Sequence, residues 1–270
     1  MKRLYIIMVA ALALSSCIKE DRTHCPCYLH VDLTQVDPHY VHKMDLMLKA
    51  DGGPAEWYPV RESAIGDTLI MSIDKSEFDF SAWGNLYGSV RDDDRMTIKP
   101  GEKPDSLWSY SNRINARCED AYVKVIPDRQ YIPVTIIVRG MLQNITDIRP
   151  VLENISGSLL YDGMATGGTG TLVPVPTETG GGEAPYHMYQ TMIMTQTSAT
   201  AAQLRLSFVR DDIRIDNTYP VGEMLSDMGE DISLVNQNPI ILDLTIGTAS
   251  VLLVIRVSDW TRHGIFTITY

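Results

Sequence analysis

The side chains of this sequence that are best able to do chemistry are histidines and cysteines near its N-terminus. Six of them fall within residues 24–42: His24, Cys25, Cys27, His30, His39 and His42. Imidazole nitrogens and thiolates are the usual zinc ligands, but zinc sites draw them from paired spacings such as C-x-x-C and H-x-x-x-H. The first three are too close together for that pattern, and no such pair occurs elsewhere in the chain. The sequence therefore predicts no metal site and no cofactor.

Catalytic and phosphate-binding motifs are missing as well. The chain has no G-x-S-x-G, no S-x-x-K followed by its partner motifs and no H-E-x-x-H. The glycines between residues 167 and 182 lack the G-K-S/T ending of a phosphate-binding loop. The acidic run Asp92–Asp94 lacks the spaced D-x-D-x-D-G pattern of a calcium loop, which favours a solvated turn. We predict that the protein is not an enzyme.

The cysteine at position 17 has a different chemistry. Lys2 and Arg3 precede an apolar run, Leu4–Leu14, that is too short to span a bilayer as a helix and is typical of a signal peptide. The run ends in Leu-Ser-Ser-Cys, which matches the bacterial lipobox, in which small residues precede a cysteine that is acylated and becomes the new N-terminus. The sequence predicts a signal peptide at 1–16 and lipidation of Cys17, so that acyl chains attach the protein to the outer membrane.

Residues 17–27 form the predicted lipidated tether. Ile18 is followed by Lys19, Glu20 and Asp21, a short charged run that resembles the surface-export signal of Bacteroidota lipoproteins. An ordinary solvated tether fits the same residues. With Cys17 acylated, Cys25, Cys27 and Cys118 are left, an odd number, and pairing of Cys25 or Cys27 with Cys118 stays open. We expect a lipid anchor in the outer membrane with the protein at the cell surface.

Charge and composition limit the partners. The formal net charge is −11, and 44% of the residues are hydrophobic. Binding to nucleic acid depends on neutralising phosphates, so an acidic chain is a poor candidate for it. The apolar content is enough for one large or two ordinary buried cores.

Alternation of apolar and polar residues recurs along the mature chain, which predicts an all-β fold. Leu29, Val31 and Leu33 give the first strand. Further predicted strands of a first β-sandwich, residues 28–127, are Met44–Lys49, Thr68–Asp74, Glu77–Trp83, Leu86–Arg91 and Tyr122–Ile126.

A second series of strands predicts a C-terminal β-sandwich over residues 128–270. Its strands are Tyr131–Arg139, Arg149–Ile155, Ser158–Asp162, His187–Thr195, Gln203–Arg210, Asp212–Asn217, Pro239–Ile246, Ser250–Asp259 and Gly264–Tyr270. Residues 163–185 are rich in Gly, Pro and Thr, which predicts a long exposed loop. Val221, Leu225 and Met228 have helical spacing within Pro220–Glu230, which predicts a short helix.

Two kinds of surface feature have alternative interpretations. Asp67-Thr68-Leu69 and Asp105-Ser106-Leu107 resemble the Bacteroidota O-glycosylation acceptor, although three-residue patterns also arise by chance. The four tryptophans could form a sugar-stacking face or pack in the core; they are Trp57, Trp83, Trp108 and Trp260.

The order of several short motifs resembles the FimB-type fimbrial anchor lipoproteins of Bacteroidota, the anchor subunits of type V pili. The motifs are the lipobox Cys17, Cys25-Pro26 before the first strand, Ala82-Trp83-Gly84, the aliphatic strand Ile136–Gly140, the helix start Pro220, Gly222 and Leu225, and Asp259-Trp260. No single motif is specific, and the 163–185 segment and Cys27 are not marks of the family.

The resemblance implies two transthyretin-like β-sandwiches in tandem, and a lipid-anchored subunit that attaches the fimbrial shaft to the outer membrane and terminates or regulates its length. Shaft subunits of that family join by strand addition. We expect Val251–Asp259 or Gly264–Tyr270 to form the pairing edge, with ordinary core strands as the alternative. We also expect Arg22, near the family's cleavage position, to stay uncut. The competing function is a surface lipoprotein that binds glycans.

Overall fold

The structure is a computed structural model that describes residues 25–92, 95–99, 101–166, 168–182, 185–197, 202–228, 239–257 and 262–269, the last of these as backbone alone. The signal peptide, Cys17, Arg22, His24 and Trp260 lie outside the described residues, as do Asp93 and Asp94 of the acidic run.

Residues 27–129 form two facing sheets. The strands are β1 (Cys27–Asp32), β2 (Met44–Ala50), β3 (Ala55–Val60), β4 (Thr68–Ile73), β5 (Glu77–Gly84), β6 (Val90–Arg91), β7 (Arg95–Thr97), β8 (Trp108–Asn115), β9 (Asp120–Lys124) and β10 (Asp128–Arg129), with a short 3-10 helix at Glu62–Ala64. Sheet A has the order β4-β1-β9, and sheet B has the order β10-β8-β5-β2-β3. In sheet A, β1 runs antiparallel to β4 and parallel to β9.

Alternation places one face of each sheet in a common core. Leu29 and Val31 of β1 are fully buried and share a cluster with Leu46 of β2 and Phe80 of β5. The intervening residues of these strands point to the outer faces because successive side chains of a strand alternate. Burial of the apolar faces is what holds the two sheets together.

Residues 131–269 form two further sheets. The elements are β11 (Tyr131–Gly140), β12 (Ile145–Ser156), β13 (Ser158–Leu160), β14 (Gly168–Leu172), β15 (Glu178–Gly180), β16 (Tyr186–Met194), β17 (Gln203–Arg210), β18 (Ile213–Tyr219), α1 (Val221–Asp227), β19 (Ile240–Ile246), β20 (Ser250–Val257) and β21 (Arg262–Thr269). Sheet C has the order β15-β16-β11-β19-β20-β21, and sheet D has the order β14-β12-β17-β18.

The core between sheets C and D is built in the same way. Ile136 of β11 and Leu242 of β19 face Leu206 and Phe208 of β17, and all four are buried. β11 ends at Gly140, which has a φ of 103°. A Cβ at this position would lie 2.5 Å from the carbonyl oxygen of Ile246 in the parallel neighbour β19, so glycine permits this close pairing.

A small fifth sheet joins the two halves of the chain. β13 of the second half pairs with β7 of the first, and β7 pairs with β6. We call β6-β7-β13 the bridging sheet. Beneath it lies a separate apolar cluster that includes Met47 and Trp83 from sheet B and Leu159 and Tyr161 from the second half. The Ser81 hydroxyl donates to the Tyr161 carbonyl oxygen at 2.7 Å. The second half therefore covers part of the outer face of sheet B.

The prediction of an all-β sandwich fold is confirmed, and most predicted strands form within a few residues of their expected ends. The predicted strand Leu86–Arg91 is wrong except for β6. Asn85, at a φ of 61°, ends β5, and the amides of residues 87–89 bond to the Asp105 carboxylate instead of to a neighbouring strand. The strands β3 and β8 were not predicted. The domain division at residue 127 stays a prediction.

The long loop predicted at 163–185 is also wrong in part. β14 pairs with β12, and β15 pairs with β16, so both lie on the edges of existing sheets. Leu172 is buried in the core of the second half. An existing strand offers a full row of backbone partners, which orders a segment that has little apolar surface of its own. The short helix is confirmed as α1, with Val221, Met224 and Leu225 buried.

Candidate subunit-docking interface

Sheet C ends at β21, and the two strands predicted to form the pairing edge take different places in it. β20 pairs with both β19 and β21, so the prediction that Val251–Asp259 forms an edge is wrong. β21 (Arg262–Thr269) pairs with β20 alone and is the terminal strand of the described sheet. An edge strand presents unpaired N–H and C=O groups along its free side, which is the requirement for strand addition.

A buried carboxylate lies on the outer face of sheet C, two strands in from β21. Asp243 of β19 is 2% exposed, although Leu242 and Leu244 on either side of it point into the core. Arg139 of β11 donates to Asp243 Oδ2 at 2.6 Å, and Arg256 of β20 donates to the same oxygen at 2.8 Å. We call this group the Arg-Asp-Arg cluster.

The register explains how three strands bring these charges together. Asp243 pairs with Ile137 on one side and with Val254 on the other. Arg139 and Arg256 are each two residues farther along their strands, so both reach Asp243 diagonally across the same face. A buried carboxylate needs such partners, because an unpaired charge is expensive to remove from water.

The rest of the face around the Arg-Asp-Arg cluster is mixed. Its half-buried apolar residues are Ile137, Met188, Met192, Ile241, Leu252 and Val254, and the polar residues Thr135, Gln190 and Thr245 lie on the same face. The Arg-Asp-Arg cluster itself carries two positive charges and one negative charge, and Glu178 of the edge strand β15 adds a second carboxylate in the same cross-strand row as Asp243. Asp243 Oδ1 is buried and has no donor among the described residues. The face therefore combines half-buried apolar side chains with a half-exposed arginine.

Sequence reasoning did not find this cluster. Its signal is Asp243 itself, a charge in the middle of an otherwise alternating strand, Ile240–Ile246. Identifying the partners requires the strand order, because Arg139 is 104 residues away from Asp243.

The cysteines beyond position 17 are free thiols in this structure. Cys25 and Cys118 are exposed, and Cys27 is fully buried at the start of β1. Burial raises the pKa of the Cys27 thiol, and the nearby Asp120 carboxylate raises it further. Cys27 is thus a core residue of low reactivity rather than a ligand. Within the described ranges, no group of three His, Cys, Asp or Glu side chains is arranged to hold a metal ion.

The tryptophans pack instead of forming a sugar-stacking face. Trp83 is fully buried beneath the bridging sheet, and Trp57 and Trp108 pack partly buried against the apolar clusters. Trp57 also lies under the Arg91 guanidinium, 4.6 Å from ring centroid to carbon. Among the described residues, the large aromatic side chains that are exposed are all tyrosines. The described tryptophans therefore do not support a sugar-stacking face.

The two acceptor-like tripeptides lie in different surroundings. Thr68 is exposed at the start of the edge strand β4. Asp105 instead accepts bonds from the amides of Tyr87 and Gly88 at 2.9 and 2.8 Å, and Ser106 lies beside the Asn85 amide. Of the two sites, Thr68 is the more accessible.

No model of a protein family matches this sequence, and no curated protein matches it. Solved structures do match. The fimbrial anchor protein Mfa2 from Porphyromonas gingivalis aligns with a TM-score of 0.61 at 13% identity, over 87% of this chain and 98% of that one. The protein described here has the fold of the Mfa2 anchor. The predicted resemblance to fimbrial anchors is therefore confirmed at the level of fold.

Two other structures have the same fold. A candidate adhesin from Bacteroides ovatus gives a TM-score of 0.62 at 13% identity, over 88% of this chain and 97% of the other. A candidate polysaccharide-binding protein from Bacteroides thetaiotaomicron gives 0.57 at 13% identity, over 87% and 99%. None of the described helices is long and apolar enough to cross a membrane.

Proposed function

We propose that this protein is a lipid-anchored fimbrial subunit that attaches a fimbrial shaft to the outer membrane and limits shaft length. The observation that carries the proposal is the agreement in fold with the Mfa2 anchor over nearly the whole of both chains. The lipobox that ends in Cys17 supports it independently, because an anchor needs a membrane attachment at one end of the protein.

In this proposal the free side of β21 receives a strand from the first shaft subunit. Backbone hydrogen bonds along the edge provide affinity, and alternate side chains provide register. The incoming strand extends sheet C, so the subunit that carries it comes to lie beside the face that holds the Arg-Asp-Arg cluster. Arg139, 51% exposed at its side chain, is placed to pair with a carboxylate of that subunit.

The proposed attachment to the membrane is tested by replacing Cys17, the predicted site of lipidation. Cys17→Ala cells are expected to release fimbriae into the medium, measured by blotting of cell and medium fractions for the shaft subunit. Cys118→Ala is the matched control, since Cys118 is exposed and unpaired, and it should leave fimbriae attached. Attached fimbriae of normal length on Cys17→Ala cells would argue against the anchor function.

The proposed docking of a shaft subunit at β21 is tested by deleting residues 264–270, which removes most of that strand. Fimbriae are expected to detach while the lipoprotein stays in the outer-membrane fraction. Thermal unfolding of the purified variant checks that the rest of the protein still folds. A folded variant that holds fimbriae of normal length contradicts docking at β21.

A further inference from the structure

The outer face of sheet A carries an exposed aromatic patch that docking at β21 does not use. The pairing registers define three rows across strands β4, β1 and β9. The rows are Ser72, Tyr28 and Asp120; Ile70, His30 and Tyr122; and Thr68, Asp32 and Lys124. All nine side chains point away from the core, because Leu29 and Val31 of the same strand are fully buried on the other side.

Three of the nine are large apolar or aromatic side chains left open to solvent. Tyr122 is 73% exposed, Ile70 is 57% exposed and Tyr28 is 50% exposed. The described residues form no layer over them. Exposed side chains of this size, grouped on one face, mark a binding surface more often than single exposed residues do.

The tyrosine at the β9 edge is held in one orientation. The His30 ring stacks on the Tyr122 ring with centroids 4.6 Å apart and planes 15° apart. His30 is fixed in turn by Asp120, whose Oδ1 lies 3.0 Å from His30 Nε2. The far face of the Tyr122 ring therefore stands open beside the last strand of the sheet, already positioned for a ligand.

Hydrogen-bonding groups surround the aromatic row. Asp120 lies on one side of it, and Asp32 and Lys124 lie on the other. Asp32 is oriented by Thr34, whose amide and hydroxyl donate to Asp32 Oδ1 at 2.9 and 2.6 Å. These bonds lower the pKa of Asp32, so it remains an ionised acceptor in neutral solution.

The size of the patch favours a small ligand. Three strands span roughly 10 Å from first to last, and three rows span about 13 Å along the strands. A stable protein interface needs about 800 Å² on each partner, several times this area. The patch matches a short stretch of a polymer better than it matches a folded protein.

Charge decides between classes of polymer. The charged side chains Asp32, Asp120 and Lys124 carry a net negative charge, and the whole protein carries a formal charge of −11, so nucleic acids and acidic glycans are repelled. A neutral sugar chain fits both features of the face. Sugar rings present an apolar C–H face that stacks on aromatic rings, and their hydroxyls bond to carboxylates and ammonium groups.

We propose that the outer face of sheet A binds a neutral polysaccharide, with one sugar ring stacked on Tyr122, the next ring over Tyr28, and sugar hydroxyls bonded to Asp120 and Lys124. The site would let a surface-exposed subunit hold glycan in addition to its fimbrial role. It uses neither β21 nor the Arg-Asp-Arg cluster.

The test measures binding of soluble neutral polysaccharides to the full-length lipoprotein in detergent by isothermal titration calorimetry. The probes are xyloglucan, galactomannan and dextran. At least one is expected to bind, and both Tyr122→Ala and Tyr28→Ala should weaken that binding at least tenfold. Tyr122→Phe should bind nearly as well as the wild type, because the stacking surface is retained.

The matched control is Tyr87→Ala. Tyr87 is 62% exposed, on the loop that Asp105 organises and away from sheet A, and its loss should not change binding. The proposal is overturned if none of the three probes binds, if Tyr122→Ala binds as the wild type does, or if heparin binds more tightly than the neutral probes. Cells that carry Tyr122→Ala should keep their fimbriae attached. Glycan binding and the proposed anchor function are therefore tested independently of each other.

Discussion

The two halves of the molecule each bury an aspartate on the outer face of a sheet, and they cover it in different ways. Asp45 of β2 is 3% exposed and accepts from Arg91 at 2.6 Å, with Lys43 3.7 Å away. Asp243 of β19 is 2% exposed and is held by Arg139 and Arg256. Around Asp45, the bridging sheet and Tyr161 cover sheet B. Around Asp243, the described residues that cover the carboxylate are the two arginines alone.

The difference indicates which sheet has its outer face covered by a second layer from the same chain. Sheet B has its second layer within the same chain, and Arg91 of the bridging sheet also stacks on Trp57. The outer face of sheet C has no such layer among the described residues. A face that carries half-buried apolar side chains and a charged cluster, in a sheet whose last described strand is β21, is suited to a partner from outside the chain.

The largest expected effect is at the junction that covers sheet B. Trp83→Ala should lower the free energy of unfolding by about 4 kcal/mol, because it removes a fully buried indole from the cluster shared by both halves. Chemical denaturation monitored by circular dichroism measures the loss.

Trp83→Phe is the control for that variant. The indole Nε1 has no hydrogen-bond partner among the described residues, so phenylalanine should retain more than half of the contribution. Equal losses for the two variants would contradict the role of ring packing at this junction.

The next effect is at Asp45. Asp45→Ala removes a buried carboxylate that pairs with Arg91 and lies near Lys43, and we expect a loss of about 3 kcal/mol in the free energy of unfolding. The same denaturation experiment measures it. Asp79→Ala is a suitable comparison, since Asp79 forms an exposed pair with Arg113 and should cost less than about 1 kcal/mol.

A smaller stability effect is expected at Asp243. In Asp243→Ala the half-exposed Arg139 can turn to water, whereas Arg256, 23% exposed, is left partly buried without this carboxylate, so the loss should be about 2 kcal/mol. Attachment of fimbriae should nevertheless weaken, because the arginines lose the group that positions them; blotting of cell and medium fractions measures this. A stability loss as large as that of Asp45→Ala would remove the contrast between the two faces.

The smallest effect concerns reactivity rather than stability. Cys27 should react with iodoacetamide at least about 100-fold more slowly than Cys118, because it is buried and its pKa is raised. Mass spectrometry of single-cysteine variants measures both rates. Rapid labelling of Cys27 would mean that β1 opens readily and that sheet A is not a rigid platform.

The strands most readily predicted were those whose alternation is complete. Ile132, Val134, Ile136 and Val138 gave β11 directly, because one face of that strand is buried and the other is not. β8 was missed because Asn112, which pairs with the buried Phe80, interrupts the apolar side of that strand between Tyr110 and Ile114. β14 was missed because its order comes from pairing with β12.

The candidate interface was predictable only in part. Apolar alternation in β20 and β21 marked both strands as possible edges, but alternation assigns faces and not neighbours. The sheet order showed that β20 is internal and that β21 is terminal. The tyrosine patch was missed for the same reason: Tyr28 and Tyr122 are 94 positions apart, and they become neighbours through a parallel pairing.

The sequence by itself determined the properties that depend on local pattern: the lipobox at Cys17, the acidic charge and the predominance of strands. The tertiary structure decided which strands are edges, which outer faces are covered and which charges meet across them. Residues distant in the chain meet only when the sheets assemble, so the site for a partner and the patch for a sugar are consequences of long-range pairing.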